Sequence, residues 1–226
     1  MMAPKHDTNE PNAASDADYL LPYRAMIQKH GASFEATGWK NRDMQITRFD
    51  VMLPMVDFTG RIVVDAGSGL GGLAEHLSTR GIEYGRYIGL DAMKKMVEQS
   101  RAKKLAEAEF VVCDFASDVD AFSRFTKEAG GKGIEVVVFS GSLNTMRQDE
   151  AIGVLERAWE AASEAVVFNF LSNRARADML SLDPTPAHRF DTMRLVDWAL
   201  NKTPAVRFRQ DYFVGHDATI AMFKAR

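Results

Sequence analysis

The sequence predicts an α/β fold in which helices cover both faces of a mostly parallel sheet. Three observations predict it. From Arg61 onward, short apolar segments alternate with amphipathic ones, the pattern of parallel strands joined by crossover helices. A glycine-rich turn, Gly67-Ser68-Gly69-Leu70-Gly71-Gly72, links the first strand to the first of these helices. Near the C-terminus, two alternating strands with a short link indicate an antiparallel hairpin.

Length and composition fit one soluble domain, or at most two small ones. The chain has 226 residues, of which 46% are hydrophobic and 26% charged, and its net charge is −3. Without a basic surplus, nucleic acid is an unfavourable partner. No apolar segment approaches the ~18 residues of a membrane-spanning helix. The single cysteine, Cys113, is typical of a reducing compartment, so we expect a cytoplasmic protein that does not enter membranes. The oligomeric state is not indicated.

The N-terminal part precedes the alternating pattern. Residues 1–17 are polar and lack the apolar segment of a secretion signal, so we expect a disordered tail followed by a single domain over 18–226. Helical spacing predicts helices over 18–30, before Gly31, and over 42–57, where Pro54 should introduce a kink or mark the late portion of the helix.

The alternating part supplies the sheet and its covering helices. The predicted strands are 62–65, 86–91, 109–114, 134–140 and 165–171, because these runs are apolar, β-branched or aromatic. The predicted helices are 70–80, 92–104, 119–129, 149–162 and a further one near 190–200, and the hairpin is formed by 206–211 and 218–224.

The glycine turn predicts a site for a nucleotide-like cofactor. Gly67 can adopt positive φ, and Gly69 lets a ligand approach the backbone. With Gly72 these residues also spell the dinucleotide fingerprint. However, the Asp65 carboxylate would repel a pyrophosphate by roughly 2 kcal/mol at ~8 Å and an effective dielectric constant of ~20. S-adenosyl-L-methionine (SAM) carries an ammonium that suits Asp65 and a carboxylate that suits a helix N-terminus. A turn without any ligand is disfavoured by four glycines in six positions.

Over roughly residues 61–226, the order of elements resembles the class I SAM-dependent methyltransferases. The shared features are the glycine turn after the first strand, acids at the ends of the second and third, and the closing hairpin. The segment 38–40, with Gln45 and the pair Arg48-Phe49 after it, and the segment 169–172 also resemble a subgroup of small bacterial methyltransferases. The resemblance implies a three-layer, Rossmann-like sandwich with a seven-stranded sheet, SAM as cofactor, and N-terminal helices (18–60) that cover the cofactor site.

The resemblance also implies a set of cofactor-binding residues. The first motif would hold the methionine end, the acid ending the second strand would bind the ribose hydroxyls, and the acid ending the third strand would bind the adenine amino group. An alternative is open for several members: Asp91 could cap a helix, Asp114 could be a turn residue, Arg48 could face solvent and Trp39 could serve in packing. The full set is Asp65, Gly67, Ser68, Gly69, Asp91, Ala92, Met93, Asp114, Phe115, Ser140, Arg48 and Trp39.

Four residues are candidates for catalysis. Asn144 follows the fourth strand, beside the expected position of the reactive methyl group, and His188, Tyr212 and His216 lie in the late region where this fold often builds its substrate wall. Structural or surface roles are open for each of them. The histidines show no pair at metal-ligand spacing, so we expect no metal site.

The predicted activity is methyl transfer from SAM to a small-molecule acceptor. The loop Ser140-Gly141-Ser142-Leu143-Asn144 departs from the Asn/Asp-Pro-Pro-Tyr/Phe pattern of enzymes that methylate amino groups of DNA bases or glutamine. Two alternatives stay open at this point: an NAD(P)-dependent oxidoreductase, favoured by the glycine spacing, and a SAM-binding module without catalysis.

Overall fold

A computed structural model describes residues 17–128 and 133–225. Nearly all of the expected N-terminal tail lies outside these residues. The helices are α1 (Leu21–His30), α2 (Arg42–Met52), α3 (Gly72–Thr79), α4 (Lys94–Ala102), α5 (Ser123–Glu128), α6 (Gln148–Ala161), α7 (Ala177–Leu180) and α8 (Thr192–Lys202). The strands are β1 (Ile62–Ala66), β2 (Arg86–Asp91), β3 (Ala108–Val112), β4 (Ile134–Phe139), β5 (Ala162–Ser172), β6 (Arg189–Phe190), β7 (Val206–Arg209) and β8 (Asp217–Phe223).

The strands form one sheet in the order β3-β2-β1-β4-β5-β8-β7, with β6 pairing to the end of β5. The strands β1 to β5 are parallel, and β8 pairs antiparallel with both β5 and β7. The predicted α/β class and the C-terminal hairpin are therefore confirmed. The main path has the predicted seven strands, and β6 is an eighth that the sequence did not indicate because it has two residues.

Several helix boundaries differ from the predicted ones for local reasons. The helix α2 ends at Met52 and is not merely kinked, because Pro54 has no N–H to continue the hydrogen-bond ladder. The helix α3 starts at Gly72 instead of residue 70, because Gly69 and Gly71 have positive φ and lengthen the turn. The helix α8 starts late, after Asp191, whose side chain accepts from two backbone N–H groups.

The other differences are small, apart from α5 and α7. The helix α5 starts at Ser123 instead of residue 119, after Asp118 and Asp120 form a turn, and the predicted end at 129 lies outside the described residues. The helix α7 was not predicted; it is a single turn of four residues.

The sheet is buried on both faces by two separate apolar layers. In β1, Val63 packs with Phe49 and Leu77 from α2 and α3, whereas Val64 packs in the layer of α6 and α8 that contains Leu155. Because side chains alternate along a strand, Asp65 lies on the same face as Val63. The face covered by α2 and α3 therefore also carries the predicted ligand-binding carboxylate. No helix within residues 17–128 and 133–225 is long and apolar enough to cross a membrane.

Candidate functional site

A cleft lies at the carboxyl ends of β1, β2, β3 and β4. Its floor is the glycine turn and the strand ends, and its roof is formed by residues from the N-terminal segment. The members that the sequence predicted are Trp39, Asp65, Gly67, Ser68, Gly69, Asp91, Ala92, Met93, Asp114, Phe115 and Ser140. The structure therefore brings together eleven of the twelve predicted cofactor-binding residues at one cleft.

The carboxylate of Asp65 is enclosed at the bottom of this cleft. Its side chain is almost inaccessible (3% exposed). The Tyr87 hydroxyl donates a hydrogen bond to Oδ2, and Oδ1 is buried without a hydrogen-bond partner among the described residues. Burial raises the pKa of Asp65 to about 7, and the nearby Asp91 carboxylate acts in the same direction. Asp65 is thus a buried acid with one oxygen available to a ligand.

The glycine turn is held tightly at its first glycine. Gly67 has φ +89°, and a Cβ there would lie 2.2 Å from the Ser142 Cβ. The Ser142 hydroxyl donates to the Ala66 carbonyl at 2.5 Å, so the loop after β4 is fixed against the turn. Gly69 has φ +54°, and the neighbouring Ser68 Oγ is buried without a hydrogen-bond partner among the described residues.

Asp91 connects the turn to the next strand. Its Oδ2 accepts from the Gly69 N–H at 2.9 Å, and its Oδ1 accepts from the Met93 N–H at 2.8 Å, just before α4. Burial raises the pKa of Asp91 to about 6. The carboxylate therefore fixes the backbone just before α4 and also faces the cleft. The N-cap of α4 is Met93, without a side-chain cap, so the alternative interpretation of Asp91 as the helix cap is wrong.

Asp114 joins the floor of the cleft to its roof. The Tyr19 hydroxyl lies 2.9 Å from both carboxylate oxygens of Asp114, and the Ala116 N–H donates to Oδ1 at 3.2 Å. The next residue, Phe115, is buried and packs edge-on against Phe139. Both predicted residues thus line the cleft, and the tyrosine that contacts the acid comes from the very start of the described chain.

Trp39 forms a wall of the cleft, but Arg48 does not line it. A Cβ on Gly141 would lie 2.3 Å from the Trp39 Cη2, so the indole packs directly on this glycine. The Arg48 guanidinium lies 4.6 Å from the centre of the Trp39 ring and forms an ion pair with Asp217 at 2.5 Å. Since Arg48 is only 3% exposed, the interpretation that it faces solvent is wrong.

None of the four predicted catalytic candidates lines the cleft. Asn144 has a buried Oδ1 without a partner among the described residues, and its carbonyl accepts from the N–H of the exposed His188 at 2.7 Å. Tyr212 is buried, with its hydroxyl 2.6 Å from the Thr219 Oγ1. His216 Nδ1 lies 2.7 Å from an oxygen of Asp217. By contrast, Ser140 lines the cleft with a buried, unpartnered hydroxyl.

Sequence reasoning missed much of the cleft lining. The missed residues come from the N-terminal segment, from α3, α4 and the turn before α3, and from the loop after β4. The signals for them were the one-turn spacing of Tyr19 and Tyr23, the resemblance that includes Gln45 and Phe49, and the glycine in the β4 loop. They are Tyr19, Leu20, Tyr23, Ala36, Thr37, Gln45, Phe49, Leu70, Leu73, Met96, Gly141, Ser142, Thr145 and Met146. In the part of the chain that the structure describes, no group of three or more His, Cys, Asp or Glu side chains is arranged to hold a metal ion.

Comparison with known proteins identifies the fold. No protein-family model matches the chain, and no curated protein is similar in sequence. Among solved structures, the magnesium protoporphyrin IX methyltransferase ChlM from Synechocystis PCC 6803 with bound SAM superposes with a TM-score of 0.62 at 15% identity, covering 95% of this chain and 100% of that one. The chain has the class I methyltransferase fold.

Two further structures with the methyltransferase fold extend this likeness. A DhpI–SAM–HEP complex gives a TM-score of 0.62 at 16% identity, covering 90% of this chain and 94% of that one. The small RNA methyltransferase HEN1 gives 0.60 at 13% identity, covering 80% of this chain but 25% of that one. At these identities the likeness concerns the fold, so the chemistry has to be argued from the cleft itself.

Proposed function

We propose that this protein binds SAM in the cleft and transfers its methyl group to a small-molecule acceptor. The observation that carries the proposal is Asp65 Oδ1, a buried carboxylate oxygen without a partner in the described structure, beside a glycine turn in which Gly67 has no room for a side chain. A buried unpartnered acceptor is unfavourable unless a ligand satisfies it. The ammonium of SAM is a donor of the right charge.

The other cleft residues suit the rest of the cofactor. Asp91 still has lone pairs for ribose hydroxyls, since each of its oxygens accepts one backbone N–H. Asp114 and Phe115 would lie at the adenine end, where the acid accepts from the amino group and the ring offers an apolar surface. Ser68 would supply a hydroxyl near the methionine end. These assignments support SAM over a dinucleotide, whose pyrophosphate would approach the Asp65 carboxylate.

When bound, SAM supplies a methyl group on a sulfonium, which is a reactive donor without further activation. The chain would orient the acceptor and exclude water. Trp39 and the loop beginning at Ser140 form the wall at the β4 end of the cleft, where the methyl group would point. Holding both reactants in line can lower a barrier by ~7–11 kcal/mol, so positioning alone could supply much of the rate.

The acceptor is proposed to be a small molecule. The cleft is covered by residues between Tyr19 and Phe49, which leaves little open surface for a polymer. The net charge of −3 also disfavours a nucleic acid, although one fold neighbour is a small RNA methyltransferase. ChlM, by its name, acts on a porphyrin. A cytoplasmic location remains part of the proposal, and cell fractionation would test it.

Binding experiments can separate this proposal from its alternatives. S-adenosylhomocysteine (SAH) at ~100 times its dissociation constant should add ~2.7 kcal/mol to the unfolding free energy, a rise of roughly 5–11 °C in Tm. NADH should give no rise. A rise with NADH alone would favour an oxidoreductase. Methyl-labelled SAM incubated with a metabolite pool then distinguishes an enzyme, which transfers label, from a binding module, which does not.

A further inference from the structure

A buried network of charged side chains lies behind Trp39 and has no role in the binding site proposed above. Arg48 Nε contacts Asp217 Oδ2 at 2.5 Å, and the other oxygen of Asp217 contacts His216 Nδ1 at 2.7 Å. Asp217 is fully buried. Arg48 also donates to the Met44 carbonyl at 3.0 Å. One carboxylate is therefore held from both sides, by a guanidinium from α2 and by an imidazole from the segment before β8.

The network lies at the same edge of the sheet as the cleft. The His216 carbonyl accepts from the Ser172 N–H at 2.9 Å, at the carboxyl end of β5. This strand is next to β4, whose loop contributes Ser140 to the cleft. The other end of the network reaches the cleft wall, because Arg48 stacks on Trp39. His216 thus lies at the carboxyl edge of the sheet, beside the end of β5, and is linked through Asp217 and Arg48 to Trp39 in the cleft wall.

The backbone that presents His216 is held in an unfavourable conformation. Phe213, Val214 and Gly215 have φ values of +47°, +49° and +79°, and positive φ is unfavourable for the first two residues. The Phe213 ring lies 4.9 Å from the Arg48 guanidinium, and the Gln210 amide donates to the Gly215 carbonyl at 3.0 Å. Backbone strain maintained by its surroundings is concentrated at functional sites.

We propose, on the basis of the function proposed above, that His216 is the general base for the methyl acceptor and that Asp217 and Arg48 are positioning residues. An ionised carboxylate can only accept hydrogen bonds, so Asp217 fixes the proton of the neutral imidazole on Nδ1. The lone pair is then on Nε2, which has no hydrogen-bond partner among the described residues. The acceptor is accordingly a hydroxyl or amine that loses a proton on methylation.

In the proposed step, the O–H or N–H bond of the acceptor breaks and its proton moves to His216 Nε2. The electron pair of the acceptor atom forms the new bond to the methyl carbon. The electrons of the methyl–sulfur bond remain on sulfur, which becomes the neutral thioether of SAH. The imidazolium then returns its proton to solvent, and the carboxylate of Asp217 stabilises it in the meantime.

The tautomer can be tested on the full-length protein without any acceptor. Long-range ¹H–¹⁵N spectra of histidine-labelled protein should show neutral His216 protonated on Nδ1, and an Nε2–H tautomer would overturn the proposal. Activity is tested with methyl-labelled SAM and a metabolite pool. We expect His216→Ala to lower the rate of label transfer by ~10²–10⁴-fold, with partial recovery on adding imidazole. His216→Ala should bind SAH in calorimetry as the wild type does.

The chain offers a matched control for this test. His76 Nε2 lies 2.8 Å from Asp50 Oδ1, in a second histidine–carboxylate pair between α3 and α2, so His76→Ala should retain the wild-type rate. A wild-type rate in His216→Ala, or a loss that imidazole does not restore, would overturn the base role. Failure of the proposed cofactor site is seen separately, as absence of SAH binding by the wild type. SAH binding without transfer to any pool would leave only a binding module and overturn the base role as well.

Discussion

Replacing Asp65 by asparagine should change stability and ligand binding in opposite directions. In the unliganded protein, the ionised form of this acid is buried with one oxygen unpartnered. Asparagine keeps an acceptor for the Tyr87 hydroxyl, which contacts Oδ2 in the wild type, but it carries no charge. The variant should therefore tolerate neutral and alkaline pH better than the wild type and bind an ammonium-bearing ligand more weakly.

The magnitude follows from the pKa of Asp65, which burial raises from 3.8 to about 7. A carboxyl with a raised pKa binds its proton more tightly in the folded state. The bound proton therefore contributes its full stabilisation below the unfolded-state pKa, and this stabilisation is lost as the pH rises through about 7. Between about pH 5 and about pH 8, the free energy of unfolding of the wild type should fall by about 2–3 kcal/mol, and that of Asp65→Asn should not. For a chain of this size, the difference in Tm between the two proteins should widen by about 5–10 °C.

Thermal unfolding of both proteins at several pH values measures this gap, and calorimetry measures binding. The variant should bind SAH about 1.5–3 kcal/mol more weakly, while methylthioadenosine, which lacks the aminoacyl end, should bind equally to both proteins. Asp57→Asn serves as a control whose effect on stability should depend on pH in the opposite direction. The hydrogen bond from the Thr59 N–H lowers the pKa of this exposed carboxyl, whereas burial raises that of Asp65. A stability gap that does not change with pH, or equal SAH affinity in both proteins, would refute the reasoning.

Three further substitutions test the site and its support. Gly67→Ala places a Cβ 2.2 Å from the Ser142 Cβ in the β4 loop, whereas the control Gly60→Ala has a similar φ and nothing within 4 Å of its Cβ. Only Gly67→Ala should lower the free energy of unfolding by more than about 3 kcal/mol and abolish SAH binding. Equal unfolding midpoints for the two variants would contradict this. Asp91→Ala removes the carboxylate that accepts from two backbone N–H groups and that is proposed to bind the ribose hydroxyls. It should weaken SAH binding by about 1–3 kcal/mol in calorimetry. An unchanged affinity would show that the ribose does not bind at Asp91. Arg48→Met removes the guanidinium partner of the buried Asp217 and leaves it only the His216 contact. Urea unfolding should therefore show a loss of about 3–5 kcal/mol, and a loss below about 1 kcal/mol would show that the pair contributes little.

Sequence reasoning recovered the features that are encoded locally. Each buried strand is a short apolar run, and the turn from Gly67 onward has its own glycine pattern. Because parallel strands end at one edge, acids at the ends of successive strands had to come together, which placed Asp65, Asp91 and Asp114 at one cleft. The end of α2 at Met52 was predicted wrongly, because the helix was expected to continue to residue 57. Pro54, whose missing N–H can break a helix, was the local signal for this end.

Contacts between distant parts of the chain were not readable. Arg48 and Asp217 are separated by 169 positions, and Tyr19 and Asp114 by 95. No local pattern marks such partners, so Arg48 was assigned to solvent or cofactor when it is buried in an ion pair. The strand β6 and the helix α7 were missed because two and four residues carry too little periodicity to detect.

The hydrogen bonds from the Tyr19 hydroxyl to Asp114 have a kinetic consequence. They tie the segment that begins the described chain to the end of the third strand, and both residues line the cleft. If the proposed nucleoside passes between them, its exchange requires this segment to lift, a movement on the microsecond-to-millisecond scale. Association should accordingly be slower than free diffusion allows, and Tyr19→Phe should shorten the residence time of SAH in stopped-flow measurements.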